Sequence, residues 1–110
     1  MVQFVTVSER KARETARRRR AADAVMAELR GFAERCGGHF IVFGSVARQL
    51  MSFDSDFDVI IDVPREHELA AVELAEDLCR RHELPADIHL KSQASERLLA
   101  RIADHAVTLP

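Results

Sequence analysis

The chain reads as an α/β domain, a sheet covered by helices, on three observations. Phe40 to Phe43 and Val59 to Ile61 are short apolar runs of aromatic and β-branched residues, the composition of buried strands. Apolar residues at helical spacing lie on either side, with Val25, Met26, Leu29, Phe32 and Ala33 before these runs and Leu69, Val72, Ala75 and Leu78 after them. Strands separated by helices in a βαβ-like order predict helices packed on a sheet.

Taken in order, Val2 to Val7 has strand-like residues without a partner signal and predicts an edge strand or an ordered arm. Ser8 is the expected N-cap of a long helix from Glu9 to about Arg35, a stretch free of proline and interrupted only by Gly31. The second half of this helix carries the apolar stripe that should pack on the sheet. In the first half the only apolar residues are alanines, and from Ser8 to Arg20 seven basic residues stand against two acidic ones, a local charge of +5. That half is expected to project into solvent or to meet another chain, with homodimerisation one form of the contact. A solvated helix end is the ordinary reading of such a run, Arg17 to Arg20 included. Contact with an acidic partner or with RNA phosphates is the functional one, weakened by the lack of interleaved aromatics on which bases could stack.

Gly37 and Gly38 close the helix and turn the chain into the first strand. A second strand is expected from Asp56 to Val63, buried on both faces at Val59 to Ile61. Pro64 sits where a helix can begin, and Glu66 and Glu68 suit its first turn. Pro85 ends the next linker, Asp87 to Leu90 forms a third strand, and Ser95 caps a last helix with Leu98, Leu99 and Ile102 facing inward.

With 110 residues, 47% apolar composition and a net charge of -2, the chain is expected to be one globular domain. Residues 1–36 form its N-terminal arm and long helix, and residues 40–109 its motif-bearing core. No apolar run approaches the ~20 residues that span a bilayer, and no signal-peptide core opens the chain. A cytoplasmic location with Cys36 and Cys79 reduced is therefore expected.

The chemistry concentrates between Gly44 and Asp58. Gly44 ends the first strand and Ser45 can cap a short helix bearing Arg48, whose N-terminal amides would favour phosphate. Strand alternation places Asp56 and Asp58 on one face about 7 Å apart, with Phe57 turned to the core. Carboxylates so placed can converge on divalent cations. Acids are depleted from strands, so this pair reads as functional, whereas Asp54 and Asp62 read as solvated. Asp87 alone is a weaker signal. His89, on the same strand face, reads as a partly buried structural histidine, and Lys91 either meets phosphate or is exposed. Cys36 with His39 and Cys79 with His82 make two C-x-x-H pairs, a conceivable zinc site. Against it, Cys79 lies beside the buried helix stripe, where a cysteine serves as a small apolar residue.

Gly44-Ser45-Val46-Ala47-Arg48 followed by Ser55-Asp56-Phe57-Asp58-Val59 resembles the GSxxR and SDxD pair of the nucleotidyltransferase superfamily that includes DNA polymerase β and the kanamycin nucleotidyltransferases. The nearest resemblance is to its small stand-alone members, the minimal nucleotidyltransferases (MNT). It covers the chain from about Phe40 to Leu109 and departs at Gln49, where many members have glycine. The resemblance implies a small mixed sheet of the nucleotidyltransferase fold and a nucleoside triphosphate substrate. It implies that Asp56 and Asp58 hold two metal ions, Mg²⁺ by ligand preference, while Asp87 binds one of them and acts as base. Gly44 and Ser45 would grip the triphosphate, and Arg48 would touch phosphate or buttress the turn. The implied reaction transfers a nucleoside monophosphate, AMP from ATP in the simplest case, to a hydroxyl on a partner macromolecule. The chain has no tyrosine, so a tyrosine acceptor would have to come from elsewhere. The resemblance further implies an all-helical HEPN-type partner in a toxin-antitoxin pair. The competing reading is a non-catalytic binding module of the same fold that docks on a partner protein.

Overall fold

A computed structural model describes residues 4–110. The elements are α1 (Val7–Cys36), β1 (His39–Phe43), α2 (Gly44–Ala47), β2 (Phe57–Asp62), α3 (Glu68–Arg81), β3 (Ala86–Leu90), α4 (Glu96–Ile102) and β4 (Val107–Leu109). Single 3₁₀ turns precede α3 at Arg65–His67 and follow β3 at Lys91–Gln93.

The strands form one mixed sheet in the order β3-β2-β1-β4. β1 runs antiparallel to both β2 and β4, and β2 runs parallel to β3, with α3 as the crossover. One face of the sheet, with Phe40, Val42, Phe57, Val59 and Ile61, is covered by α1 through Val25, Leu29 and Ala33 and by α3 through Ala71, Ala75 and Leu78. On the opposite face Phe43 and Ile60 pack against Ile102, flanked by Leu98 and Leu99. The apolar run of β2 is thus buried on both sides, as its continuous hydrophobicity predicts.

Several boundaries differ from the sequence reading. Residues 1–3 of the expected N-terminal strand or arm lie outside the described residues, residues 4–6 have no regular structure, and Val7 opens α1. Thr6 is the N-cap instead of Ser8, its hydroxyl accepting the Glu9 N–H at 3.0 Å. The sequence signal was the Thr-x-x-Glu pattern of a capping box. Gly37 ends α1 in the left-handed conformation (φ 74°) and donates its N–H to the Ala33 carbonyl at 2.9 Å. β2 starts at Phe57 and ends at Asp62, one residue inside the expected span at each end, and β3 starts one residue early at Ala86. On α3 the buried face is Ala71, Ala75, Leu78 and Cys79, whereas Leu69 is 71% exposed. Ser95 does cap α4, accepting the Leu98 N–H at 3.0 Å.

The first half of α1 is not purely a solvent projection. Ala21 and Ala22 are buried, and Arg17 and Arg18 fold back onto loop carbonyls of the core. The turns before Glu14 are exposed over residues 7–13, where Lys11 reaches back over the Phe53 ring at 4.6 Å.

Candidate active site

The end of β1, the start of β2 and the start of β3 meet at one edge of the core. Strand register places Asp58 directly opposite Asp87 on the neighbouring parallel strand and opposite Phe43 on β1. Gly44, next after Phe43, therefore lies against the Asp58 carboxylate. A Cβ at Gly44 would collide with Asp58 Oδ2, and its φ of 73° is in the region that side chains avoid. Glycine is required here for both reasons.

Asp56 is exposed, in the residue preceding β2. The turn behind it is tied by its own serines. Ser55 Oγ accepts the Ser52 N–H at 2.7 Å, and Ser52 Oγ donates to Asp54 Oδ1 at 2.6 Å. Asp54, read as a solvated acid, thus braces the turn.

Electrostatics identify Asp58 as the centre of the cluster. Burial pushes its carboxyl up to about 6, the negative charges of Asp87 and Asp56 add to the rise, and His89 opposes it. His89 Nε2 lies 3.1 Å from Asp87 Oδ2, near enough for an ion pair. The approach is too poorly aligned for a hydrogen bond, so this buried nitrogen has no hydrogen-bond partner. Lys91 is paired with Asp62 at 3.4 Å, which accounts for both residues away from the cluster.

The Gly-Ser turn differs from expectation. The residue capping the single-turn α2 is Phe43, with no side-chain cap, and Ser45 lies inside the turn. The Gly44 N–H is donated to His105 Nε2 at 3.1 Å. Since Nε2 accepts, the ring proton sits on Nδ1 and is donated to Asp104 Oδ1 at 2.9 Å, with Arg48 Nη2 alongside at 3.2 Å. That bond holds the Asp104 carboxyl below the usual range. His105 went unnoticed in the sequence because it lies 61 residues from its partner in the α4–β4 loop, and β4 itself is too short to show strand alternation.

Gln49 occupies the left-handed region (φ 58°) directly after Arg48. This is the physical reason a glycine suits the position. Gln49→Gly should raise the urea midpoint by an amount equivalent to about 0.5 kcal/mol, the difference between left-handed strain and glycine's extra chain entropy. An unchanged or lower midpoint would contradict that account.

Among the described residues no group of three or more His, Cys, Asp or Glu side chains stands close enough to hold a metal ion. For the aspartates this means neighbours that feel one another's charge without a closed cage. For the C-x-x-H pairs, Cys79 is packed in the core with its thiol pushed up to about 11 by burial, the state of an apolar filler. A surface cavity of about 640 Å³ is lined by residues that include Arg65, Leu69, Val72, Leu90 and Gln93, toward the other end of β3.

Two adjacent parallel strands with opposed aspartates, beside a strand–glycine–helix turn, define an α/β scaffold with an acidic centre of the kind used in phosphate chemistry. The sequence model of the nucleotidyltransferase domain family matches residues 26–108, and the chain belongs to that family. Nucleotidyl transfer is the activity of the family, and its domains generally use divalent metal ions. No curated protein matched the chain. The match begins inside α1, so the basic half of that helix lies outside it. No helix among the described residues is long and apolar enough to cross a membrane.

Proposed function

We propose that the protein is a metal-dependent nucleotidyltransferase that moves the nucleoside monophosphate of a triphosphate, ATP in the simplest case, to a hydroxyl on a partner macromolecule. The observation that carries this reading is the placement of Asp58 opposite Asp87, with the Asp58 carboxylate seated directly against Gly44 at the Gly-Ser turn.

The residues suit divalent cations by their chemistry. Three carboxylates offer hard oxygen ligands, and a cation would favour the ionised form of Asp58, whose carboxyl is raised first by burial and then by the charges of Asp87 and Asp56. Asp56, Asp58 and Asp87 would hold Mg²⁺, which when bound neutralises charge on the attacking and leaving oxygens. Asp87, exposed on its strand, takes the proton of the acceptor hydroxyl. The acceptor oxygen bonds to the α-phosphorus as the bond to the bridging oxygen breaks, and pyrophosphate leaves with that electron pair. On this reading Arg48 neutralises phosphate and Ser45 donates its hydroxyl to it. His105 occupies the Gly44 amide and must give it up if phosphate is to bind there.

The acceptor is, on this reading, an all-helical HEPN-type protein, with this chain as the antitoxin half of the pair. Family resemblance supports that partner, and the basic half of α1 offers it a docking surface. The occupied Gly44 amide favours the second reading, a docking module without turnover.

Calorimetric titration of ATP with and without Mg²⁺ separates the two. Mg²⁺-dependent binding that disappears in the Asp56→Asn/Asp58→Asn protein is expected. Toxin neutralisation unchanged by that double substitution would overturn the transferase reading.

A further inference from the structure

Glu14, Arg17 and Arg18 lie outside the matched family segment, yet they are the most intensively bonded polar side chains of α1. Glu14 gathers both arginines. Its Oε1 accepts Arg17 Nε at 2.7 Å, and its Oε2 accepts Arg18 Nε at 2.9 Å. Each guanidinium then reaches a different loop with its remaining N–H groups. Arg18 Nη1 donates to the Ser55 carbonyl at 2.8 Å, one residue before Asp56. Arg17 donates to the carbonyls of His82 and Glu83, both at 2.8 Å, at the turn where α3 gives way to the β3 approach. Glu83 is itself in the left-handed region (φ 49°), so this turn needs outside support.

The two loops so held are joined by one bond, from the Phe57 N–H to the Pro85 carbonyl at 2.7 Å. That bond opens the β2–β3 pairing that sets Asp58 opposite Asp87. We propose that Glu14, Arg17 and Arg18 are positioning residues: a clamp on α1 that fixes the two loops relative to each other and thereby sets the spacing of the carboxylates.

Two observations favour this over a merely structural ion pair. Exposed ion pairs contribute little to stability, and α1 is already anchored by Val25, Leu29 and Ala33. Arg18, in contrast, is only 16% exposed, and its planar fork joins Glu14 to a backbone carbonyl in fixed geometry. Its two arginines also hold the Glu14 carboxyl down to about 2, so the clamp stays charged at any pH where the fold is studied.

The inference rests on the transferase reading for its consequence and on amide exchange for its geometry. Wild type, Arg18→Ala, Arg18→Lys and Arg17→Ala are compared by exchange at the Phe57 amide and by Mg²⁺–ATP calorimetry. In Arg18→Ala the Phe57 amide should exchange at least about 10-fold faster while Val59 and Ile60 keep their rates, and Mg²⁺–ATP affinity should fall about 10-fold. Arg18→Lys should recover part of both, because an ammonium reaches the carbonyl but cannot form the fork. A lowered melting temperature with Phe57 exchange and affinity unchanged would overturn the clamp. If the wild type binds no Mg²⁺–ATP, the transferase reading fails, and the clamp is decided by Phe57 exchange alone.

Discussion

Asp58→Asn is expected to abolish Mg²⁺–ATP binding and, in the same protein, to raise the melting temperature at neutral pH. The carboxyl titrates near 6 in the fold against an ordinary value of 3.8. Between those values the folded state holds the proton more tightly than the unfolded chain, so stability falls as pH rises from about 4 and the loss is complete above about 6. Fully retained, such a shift is worth about 3 kcal/mol, but Asp58 is half-buried at an open edge and solvent screening reduces the effect to about 1 kcal/mol. That corresponds to a gain of about 5 °C for the asparagine protein. Melting curves from pH 4 to 8 test this directly: the wild type should lose stability across the window while Asp58→Asn stays level there. Added Mg²⁺ should raise the wild-type melting temperature at pH 7 and leave the variant unmoved. An asparagine protein that melts below wild type at pH 7 would show that burial and the neighbouring carboxylates do not penalise the Asp58 charge. The loss of nucleotide affinity should exceed about 100-fold, the upper range for residues one shell removed from a metal.

Gly44→Ala should be among the most damaging single-methyl changes in the chain. Its Cβ would be driven into Asp58 Oδ2 from a backbone conformation that already disfavours side chains. Left-handed strain alone costs about 1–2 kcal/mol, and relief of the collision must move either Asp58 or the turn. We expect a melting temperature lower by about 5–10 °C together with loss of Mg²⁺–ATP binding. Normal nucleotide affinity in this variant would show that the contact of Gly44 with Asp58 does not shape the nucleotide site.

How much of this was legible in the sequence depended on separation along the chain. The alternation of Asp56, Phe57 and Asp58 and the doubly buried run of β2 are local patterns, and they folded as read; the Gly-Ser turn formed at the expected place, but with Phe43 instead of Ser45 at its cap. The Asp58–Asp87 pairing was harder, because register between strands 29 residues apart is set by how α3 packs and by loop bonds such as Phe57 to Pro85. His105 carried no signal at all, since its role exists only when the α4–β4 loop returns to β1. Arg17 and Arg18 were hidden differently. A run of four arginines reads as a solvated face, and the two that fold back find carbonyls 65 and 37 residues away. Their partners are backbone atoms, which composition cannot mark.

The overhang of α1 has a hydrodynamic consequence. The chain measures 57 × 27 × 18 Å with a radius of gyration of 15.4 Å, against about 13 Å for a compact chain of this length. That radius of gyration is the one expected of a compact chain roughly one and a half times as long. On a gel-filtration column calibrated with round proteins, a monomer of 12.4 kDa will elute early, toward the position of a dimer. Light scattering, which weighs the particle irrespective of its outline, is the measurement that tells the two apart.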